Sequence, residues 1–214
     1  MRSLSRLMDL SGRKALLTGG AGHIGLAAGE ALAEMGATIA TLDHDAGSSK
    51  EQVKALSKHG AQRVITIECD LTDEIATRHS VRSAIEAMAG LDIIIHLAAY
   101  VGTTRLPGWA VPFENQTVEA WDGALRVNLT SAFVMVQEAK EALAVSGHGS
   151  VILFGSTYGL VGPDFRLYEG TTMANPAGYA GSKGGLLQLT RYLATLLAPR
   201  VRVNAISPGG VWRD

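Results

Sequence analysis

The sequence predicts an α/β fold in which helices cover both faces of a doubly wound parallel sheet. Six short apolar runs of strand length alternate with longer segments of helical periodicity, which is typical of βαβ units. The runs at 14–18, 91–98 and 150–156 are almost continuously apolar, as expected where both strand faces are buried. No internal repeat, linker or low-complexity tract divides the 214 residues. We therefore expect a single domain with three α/β/α layers over residues 1–214.

The predicted elements alternate along the whole chain. Strands are expected at 14–18, 37–43, 63–68, 91–98, 150–156 and 200–207, and helices at about 23–36, 47–59, 73–90, 117–145 and 178–198. The last strand is followed only by PGGVWRD, so the loop that leaves it has no return. We therefore expect the C-terminal end of the domain to be incomplete in this sequence.

Composition and charge restrict the class of protein. Hydrophobic residues make up 47% of the chain and charged residues 18%, as in a globular protein rather than a disordered one. The net charge of −1 provides no patch for nucleic acid or an anionic membrane surface. The single cysteine, Cys69, excludes an intramolecular disulfide and a cysteine-based metal site. Without a signal peptide or membrane span, we expect a cytoplasmic protein that binds neither nucleic acid nor membrane and holds no metal.

The segment LLTGGAGHIG follows the first predicted strand and begins the next helix. Gly19, Gly22 and Gly25 suit a tight turn in which a pyrophosphate approaches the backbone and the helix N-terminus, and Thr18 can hydrogen-bond within it. Asp43 lies 18 residues beyond Gly25, at the end of the second strand. A carboxylate there accepts hydrogen bonds from the adenosine ribose and repels a 2′-phosphate. The segment predicts dinucleotide binding with NAD preferred over NADP; glycines that serve only a turn, and an acid that only caps a helix, are the alternative.

Asp70 ends the third predicted strand within ECDLTD. Its carboxylate either contacts the adenine end of a cofactor or caps the helix that begins near Asp73, and the sequence leaves both possibilities open. The neighbouring Cys69 has the pattern of a small buried apolar residue rather than that of a reactive thiol.

The pentapeptide YAGSK places Tyr179 and Lys183 four residues apart, so both project from one face of a helix. Free tyrosine has a pKa near 10. An ammonium about 4 Å away favours tyrosinate by roughly 4 kcal/mol at an effective dielectric constant near 20, or about three pKa units. Such a phenol is suited to general acid–base catalysis at neutral pH. Tyr158 and Tyr168 have no lysine four residues on, so Tyr179 is the candidate.

The motifs together resemble those of the short-chain dehydrogenase/reductase family. From about Arg13 onward, the sequence contains TGGAGHIG, Asp43, CDL, HLAA, VNL, Ser156, YAGSK and VRVNAISPGGV in the order of that family's single-domain branch. The resemblance implies a Rossmann fold and an NAD-dependent oxidoreductase. Such an enzyme transfers a hydride between the nicotinamide and a secondary alcohol or ketone.

The resemblance also implies roles for individual residues. Tyr179 would be the general acid or base on the substrate oxygen, and Ser156 would hydrogen-bond that oxygen. Lys183 would lower the pKa of the tyrosine and bind the nicotinamide ribose, while Asn128 would hold a water that links the lysine to solvent. The positions implied to contact the cofactor are Thr18, Gly19, Gly22, His23, Ile24, Gly25, Asp43, Asp70, Leu71, Ala98, Tyr179, Lys183, Pro208, Gly209 and Val211.

Three features depart from the single-domain branch. His23 replaces a usual glycine, and HLAA at 96–99 replaces NNAG, as in the extended branch with its additional C-terminal substrate domain. We expect His23 to face solvent in the first helical turn and His96 to be structural rather than catalytic. The third departure is the distance of 23 residues from Ser156 to Tyr179, which is longer than usual in the family.

The surplus residues VGPDFRLYEGTTMANP, the insertion 161–176, leave the strand of Ser156 and return at the helix of Tyr179. Topology therefore places the insertion over the mouth of the site, where open α/β sheets bind ligands. We expect Arg166 and Tyr168 to line the substrate site and to favour a small polar or sugar-derived substrate. The alternative is a surface excursion without substrate contact. The insertion also resembles family members associated with surface-glycan or flagellin modification.

The helices at 117–145 and 178–198 are apolar on more than one side, and the resemblance implies a homodimer or homotetramer built on them. Two other functions stay open. One is a sugar-nucleotide epimerase or dehydratase, which would recycle NAD within each turnover. The other is a non-catalytic NAD-binding sensor, which would not need a lysine next to the tyrosine.

Overall fold

Six parallel strands form one sheet in the part of the chain that this computed structural model describes, residues 4–44, 46–61, 63–171 and 174–211. The strands are β1 Lys14–Thr18, β2 Thr38–Asp43, β3 Arg63–Glu68, β4 Ile93–His96, β5 Gly149–Phe154 and β6 Val201–Ile206. Their order is β3-β2-β1-β4-β5-β6. The chain thus winds outward in one direction from β1 to β3 and in the other from β4 to β6, which confirms the predicted doubly wound fold.

The helices follow the predicted segments closely. They are α1 Leu4–Leu7, α2 His23–Glu34, α3 Ala46–Lys58, α4 Glu74–Met88, α5 Val118–Leu125, α6 Ser131–Val145 and α7 Ala177–Leu197. A π-helical turn, Arg126–Thr130, joins α5 to α6, so these two form the long helix predicted over 117–145. Short 3₁₀ helices occur at Phe113–Asn115, Thr157–Gly159 and Phe165–Tyr168. No helix of the described residues has both the length and the apolarity to cross a membrane.

Alternating side chains of β1 enter two different cores. Leu16 belongs to the cluster that includes Met135 of α6 and Leu186 of α7. Leu17 belongs to the opposite cluster, with Leu32 of α2 and Leu56 of α3. Both leucines are fully buried, so the continuous apolar run of this strand reflects burial on both faces, as predicted.

The two faces of the sheet are not covered equally at its β5–β6 end. On β5, Ile152 and Phe154 face the α2–α3 side and are only half-buried. On β6, Ile206 is 46% exposed. The prediction of burial on both faces therefore holds fully for β1 and only in part for β5 in the described chain.

Strand register places the carboxyl ends of β1, β4 and β5 side by side at one edge of the sheet. Thr18, the last residue of β1, pairs with His96, the last residue of β4. His96 in turn pairs with Leu153 of β5. The loops that leave these three strands therefore emerge side by side at the carboxyl edge, where ligands of open α/β sheets bind.

Because Leu16 is fully buried between layers, we expect Leu16→Ala to lower the free energy of unfolding by about 2–5 kcal/mol. The loss combines transfer of the missing methyl groups with the cavity left behind. Urea denaturation followed by circular dichroism measures it, with Val145→Ala as the control. Val145 is 84% exposed, so this change is expected to stay within about 0.5 kcal/mol. Equal effects of the two substitutions would contradict the described core.

Candidate active site

A glycine turn connects β1 to α2. Gly19 has a φ of +64°, and a Cβ there would lie 2.8 Å from the backbone of Ala98. A Cβ on Gly25 would collide with the carbonyl oxygen of Gly19. Gly22, the N-cap of α2, offers no side-chain hydrogen bond to the first turn, so the amide groups of that turn remain open to an anion. The turn thus fits the pyrophosphate of a dinucleotide.

The two residues after Gly22 differ in exposure. The His23 side chain is exposed in the first turn of α2, as expected, and Ile24 is half-buried. These positions present backbone amides at the helix N-terminus, so their contribution to a bound phosphate comes from the main chain.

Thr18 and His96 hold the start of the glycine turn in place by hydrogen bonds. Thr18 Oγ accepts hydrogen bonds from the backbone N–H groups of 97–98 at 3.2 Å each, and lies 2.8 Å from His96 Nδ1. With its lone pairs used, Thr18 donates its proton to Nδ1, so the proton of the neutral imidazole is on Nε2, 3.5 Å from Ser131 Oγ. Complete burial, and secondarily the charge of Lys183, lowers the pKa of His96 to about 3. His96 is therefore neutral, which fits the structural role expected of it.

Asp43 lies against the same turn. Its Oδ2 accepts a hydrogen bond from the Ala21 N–H at 3.2 Å, and its Oδ1 accepts one from the His44 N–H at 2.8 Å. Oδ2 retains a further lone pair, whereas Oδ1 also lies 3.1 Å from His44 Nδ1. Asp43 thus lies where it could accept a hydrogen bond from a hydroxyl group of an adenosine ribose.

Asp73, not Asp70, caps α4. Its Oδ1 accepts the N–H groups of residues 75–76 at 2.8 and 3.0 Å. Asp70 instead accepts hydrogen bonds from the N–H and hydroxyl of Thr72, so the helix-capping alternative for Asp70 was wrong. Leu71 is buried in the main core, which leaves only its backbone for a cofactor.

Cys69 is buried, and burial raises the pKa of its thiol. It is thus the small buried residue that the sequence predicts and not an activated nucleophile.

Lys183 is the buried cation of the site. It is 2% exposed, and its Nζ donates a hydrogen bond to the carbonyl oxygen of Phe154, at the end of β5, at 2.6 Å. Nζ lies 5.7 Å from the centre of the Tyr179 ring. Burial lowers the pKa of Lys183 to about 8, so the side chain is still mainly protonated at neutral pH. The predicted pair of tyrosine and ammonium is therefore close in space.

Ser156 lies two residues after the end of β5 and is 6% exposed. Its Oγ accepts a hydrogen bond from the Tyr158 N–H at 3.1 Å, which leaves the hydroxyl proton for another acceptor. The C-terminal loop lies beside it: the Pro208 carbonyl accepts a hydrogen bond from the Thr157 N–H, and Gly209 lies near the Thr157 methyl group. Val211 is about half exposed.

Asn128 is completely buried in the π-helical turn. Its Oδ1 accepts the Tyr100 N–H at 2.7 Å, and its Nδ2 donates to the Tyr100 carbonyl and to Ser182 Oγ. Ser182 Oγ donates to the Tyr179 carbonyl at 2.8 Å. Both amide protons of Asn128 are used within the protein, so only Oδ1 retains a lone pair for the water that the resemblance implies.

The insertion brings Tyr168 into contact with Tyr158. The Tyr168 hydroxyl donates a hydrogen bond to the Tyr158 hydroxyl at 2.7 Å. Burial, the bond to Tyr158 and the nearby Tyr158 and Tyr179 phenols raise the pKa of Tyr168 to about 12. Arg166 differs: its guanidinium pairs with Asp164 at 2.7 Å with 83% of the side chain exposed. The structure therefore places Tyr168 against Tyr158, two residues after Ser156, whereas Arg166 pairs with Asp164 at the surface.

Sequence reasoning missed Tyr158. It was set aside because no lysine follows it at the required spacing, yet its backbone binds Ser156 and its phenol binds Tyr168. The available signal was its position two residues after Ser156.

Comparison with known proteins agrees with this geometry. A family model described as enoyl-(acyl carrier protein) reductase matches residues 19–214. A probable galactose dehydrogenase of Rhizobium meliloti is 32% identical over 206 residues, which cover 96% of this chain and 74% of that protein.

Two solved structures are similar over most of the chain. NAD⁺-bound xylitol dehydrogenase has a TM-score of 0.79 and 29% identity, covering 95% of this chain and 73% of its own. NADPH-dependent 3-quinuclidinone reductase from Rhodotorula rubra has a TM-score of 0.82 and 28% identity. The match covers 98% of this chain and 73% of the reductase. The chain therefore belongs to the short-chain dehydrogenase/reductase family, oxidoreductases that act on CH–OH groups with a nicotinamide cofactor.

Proposed function

We propose that this protein is an NAD-dependent dehydrogenase or reductase that interconverts a secondary alcohol and a ketone of a small polar or sugar-derived substrate. The observation that carries the proposal is the buried Lys183 ammonium beside the Tyr179 ring, held by the last carbonyl of the strand that leads to Ser156. A structural lysine has no need for this position, because burial of an ammonium is costly.

In the proposed mechanism, the catalytic residues transfer one proton and orient one substrate oxygen. A bound nicotinamide supplies the hydride chemistry. In oxidation, Tyr179 takes the proton of the substrate hydroxyl, and in reduction it returns a proton to the carbonyl oxygen. Ser156 donates its free proton to the same oxygen and orients it. The Lys183 ammonium, whose Nζ lies 5.7 Å from the centre of the Tyr179 ring, would stabilise a phenolate on Tyr179.

The phenol pair Tyr158–Tyr168 supports a hydroxylated substrate. Tyr168 donates its proton to Tyr158, so the Tyr158 proton is directed to another acceptor and is polarised by the bond it receives. This donor follows Ser156 by two residues. Names such as galactose and xylitol dehydrogenase among similar proteins are consistent with substrates rich in hydroxyl groups.

Asp43 supports NAD rather than NADP. Its carboxylate is fixed at the glycine turn by the Ala21 N–H, and a 2′-phosphate in the same place would be repelled. The similar structures include both an NAD⁺ complex and an NADPH-dependent enzyme, so the preference rests on this carboxylate.

Exposed apolar side chains support the homo-oligomer. On α6 and α7, Phe133, Tyr192 and Leu196 are 43%, 59% and 59% exposed. A second copy packed against these helices would bury them, and we propose a homodimer or homotetramer on this basis. The cytoplasmic location stays a prediction.

Tyr179→Phe removes the acid–base group and keeps the ring. We expect kcat to fall by about 10²–10⁴-fold, while the affinity for NADH stays within about twofold. Steady-state assays of NADH formation with galactose, xylitol and threitol, together with an NADH fluorescence titration, measure both. Tyr192→Phe, on an exposed part of α7, is the matched control. Full turnover by Tyr179→Phe would reject the proposed mechanism, whereas a wild type that binds NADH without any turnover would favour the sensor.

Lys183→Met is expected to abolish turnover and yet stabilise the fold at pH 7. Burial lowers the pKa of Lys183 from 10.5 to about 8, so keeping the proton costs the folded state stability below about pH 8. The penalty disappears as the pH rises towards 10.5, the pKa of this lysine in the unfolded chain. The variant should thus be more stable by about 1–3 kcal/mol at pH 7.

Urea denaturation at pH 7 and pH 10 tests the sign, because the advantage of Lys183→Met should shrink at pH 10. Lys140→Met, at an exposed position of α6, is the control and should be nearly neutral at both values. A Lys183→Met protein less stable than the wild type at pH 7 would mean that the ammonium is a net structural support.

Asp43→Asn tests the cofactor preference. Loss of the charge should weaken NADH binding and strengthen NADPH binding, changing their ratio by about tenfold or more. Fluorescence titrations with the two cofactors measure the ratio, and Asp122→Asn, at an exposed position of α5, serves as the control. Wild-type preference for NADPH would overturn the role of Asp43 and leave the catalytic proposal standing.

A further inference from the structure

Three buried polar atoms lie together behind the glycine turn without hydrogen-bond partners. In the described residues, these atoms are Thr41 Oγ on β2 and both polar atoms of the Gln52 carboxamide on α3. Thr41 is 1% exposed and Gln52 is 3% exposed. Buried polar groups are nearly always satisfied, so a buried carboxamide with neither end bonded needs a functional explanation.

The carboxamide packs against the turn at Gly20. A Cβ on Gly20 would collide with Gln52 Nε2 and lie 3.2 Å from the Thr41 methyl group. The glycine thus makes room for the amide of Gln52. The next residue, Ala21, donates its N–H to Asp43. Gln52 and Asp43 therefore border the same short segment of the nucleotide-binding turn.

The neighbouring position on α3 shows what packing alone favours here. Leu56, one helical turn after Gln52, is fully buried. A Cβ on Gly29 of α2 would lie 2.8 Å from a Leu56 methyl group, so this glycine makes room for an apolar side chain. One turn earlier, α3 buries the carboxamide of Gln52 instead, which destabilises the fold while it is unbonded. Packing does not explain this choice.

We propose that Gln52 is a positioning residue of the nucleotide site. When the ADP half of the cofactor binds in the glycine turn, the carboxamide of Gln52 bonds to the peptide groups around Gly20, with Thr41 as its second partner. These bonds hold the turn against the pyrophosphate and ribose. The inference rests on the proposed function because it requires a bound dinucleotide. It adds that loss of the Gln52 amide weakens nucleotide binding and does not destabilise the free protein.

Gln52→Met tests the proposal, because methionine has a similar length and no hydrogen-bonding amide. We expect ADP-ribose binding, measured by calorimetry, to weaken by about tenfold, and the NADH affinity to fall in parallel. The melting temperature without nucleotide should stay equal or rise. Gln188→Met, at an exposed position of α7, is the matched control. Thr41→Val keeps the shape of its side chain and should give a smaller loss in the same direction.

The outcomes separate the two proposals. If the wild type binds neither ADP-ribose nor NADH, the proposed function fails and the inference fails with it. If the wild type binds and Gln52→Met binds as tightly, only the inference is rejected. It is also rejected if Gln52→Met melts at a lower temperature without nucleotide, because the amide is then satisfied in the free protein, for instance by an internal water. Thr41→Val decides the question by the same readouts if Gln52→Met does not fold.

Discussion

The bond from the Lys183 ammonium to the Phe154 carbonyl is the interaction on which the arrangement of the candidate site depends. It joins α7 to the end of β5 at 2.6 Å and keeps a buried charge beside Tyr179. The same charge, added to complete burial, helps to keep His96 neutral. A neutral His96 can accept the proton of Thr18 and so fix the glycine turn. One buried cation therefore influences both α7, which carries Tyr179, and the glycine turn.

The π-helical turn Arg126–Thr130 links these two parts through hydrogen bonds. Asn128 within it reaches Ser182, which holds the Tyr179 carbonyl. One residue past the turn, Ser131 faces His96 and donates its own proton to the Val127 carbonyl. The extra residue of a π-turn rotates side chains relative to a regular helix. That rotation lets a single helix present polar groups to both halves of the site.

The sequence predicted the strands and the glycine turn because both depend on local pattern: apolar runs, helical periodicity and glycines. It did not predict the π-turn, because a single inserted residue barely changes that periodicity. It left Asp70 open between a cofactor contact and a cap of the helix that begins near Asp73, since a carboxylate just after a strand and just before a helix is typical of both. Tyr158 was missed for a different reason. Its partner Tyr168 is ten residues away on the insertion, and only the folded chain brings the two phenols together.

The insertion shows why the composition of a loop is a weak guide to its ligand. Its polar content suggested that several side chains would contact the substrate, yet Arg166 is paired with Asp164 two residues away. Such local pairs form easily because little chain must be ordered to make them. The apolar Phe165 and Leu167 are 65% and 69% exposed. The insertion instead contributes the phenol of Tyr168, which donates a hydrogen bond to the Tyr158 hydroxyl. The proposed selection of a hydroxylated substrate therefore rests on one hydrogen-bonded pair rather than on the net polarity of the segment.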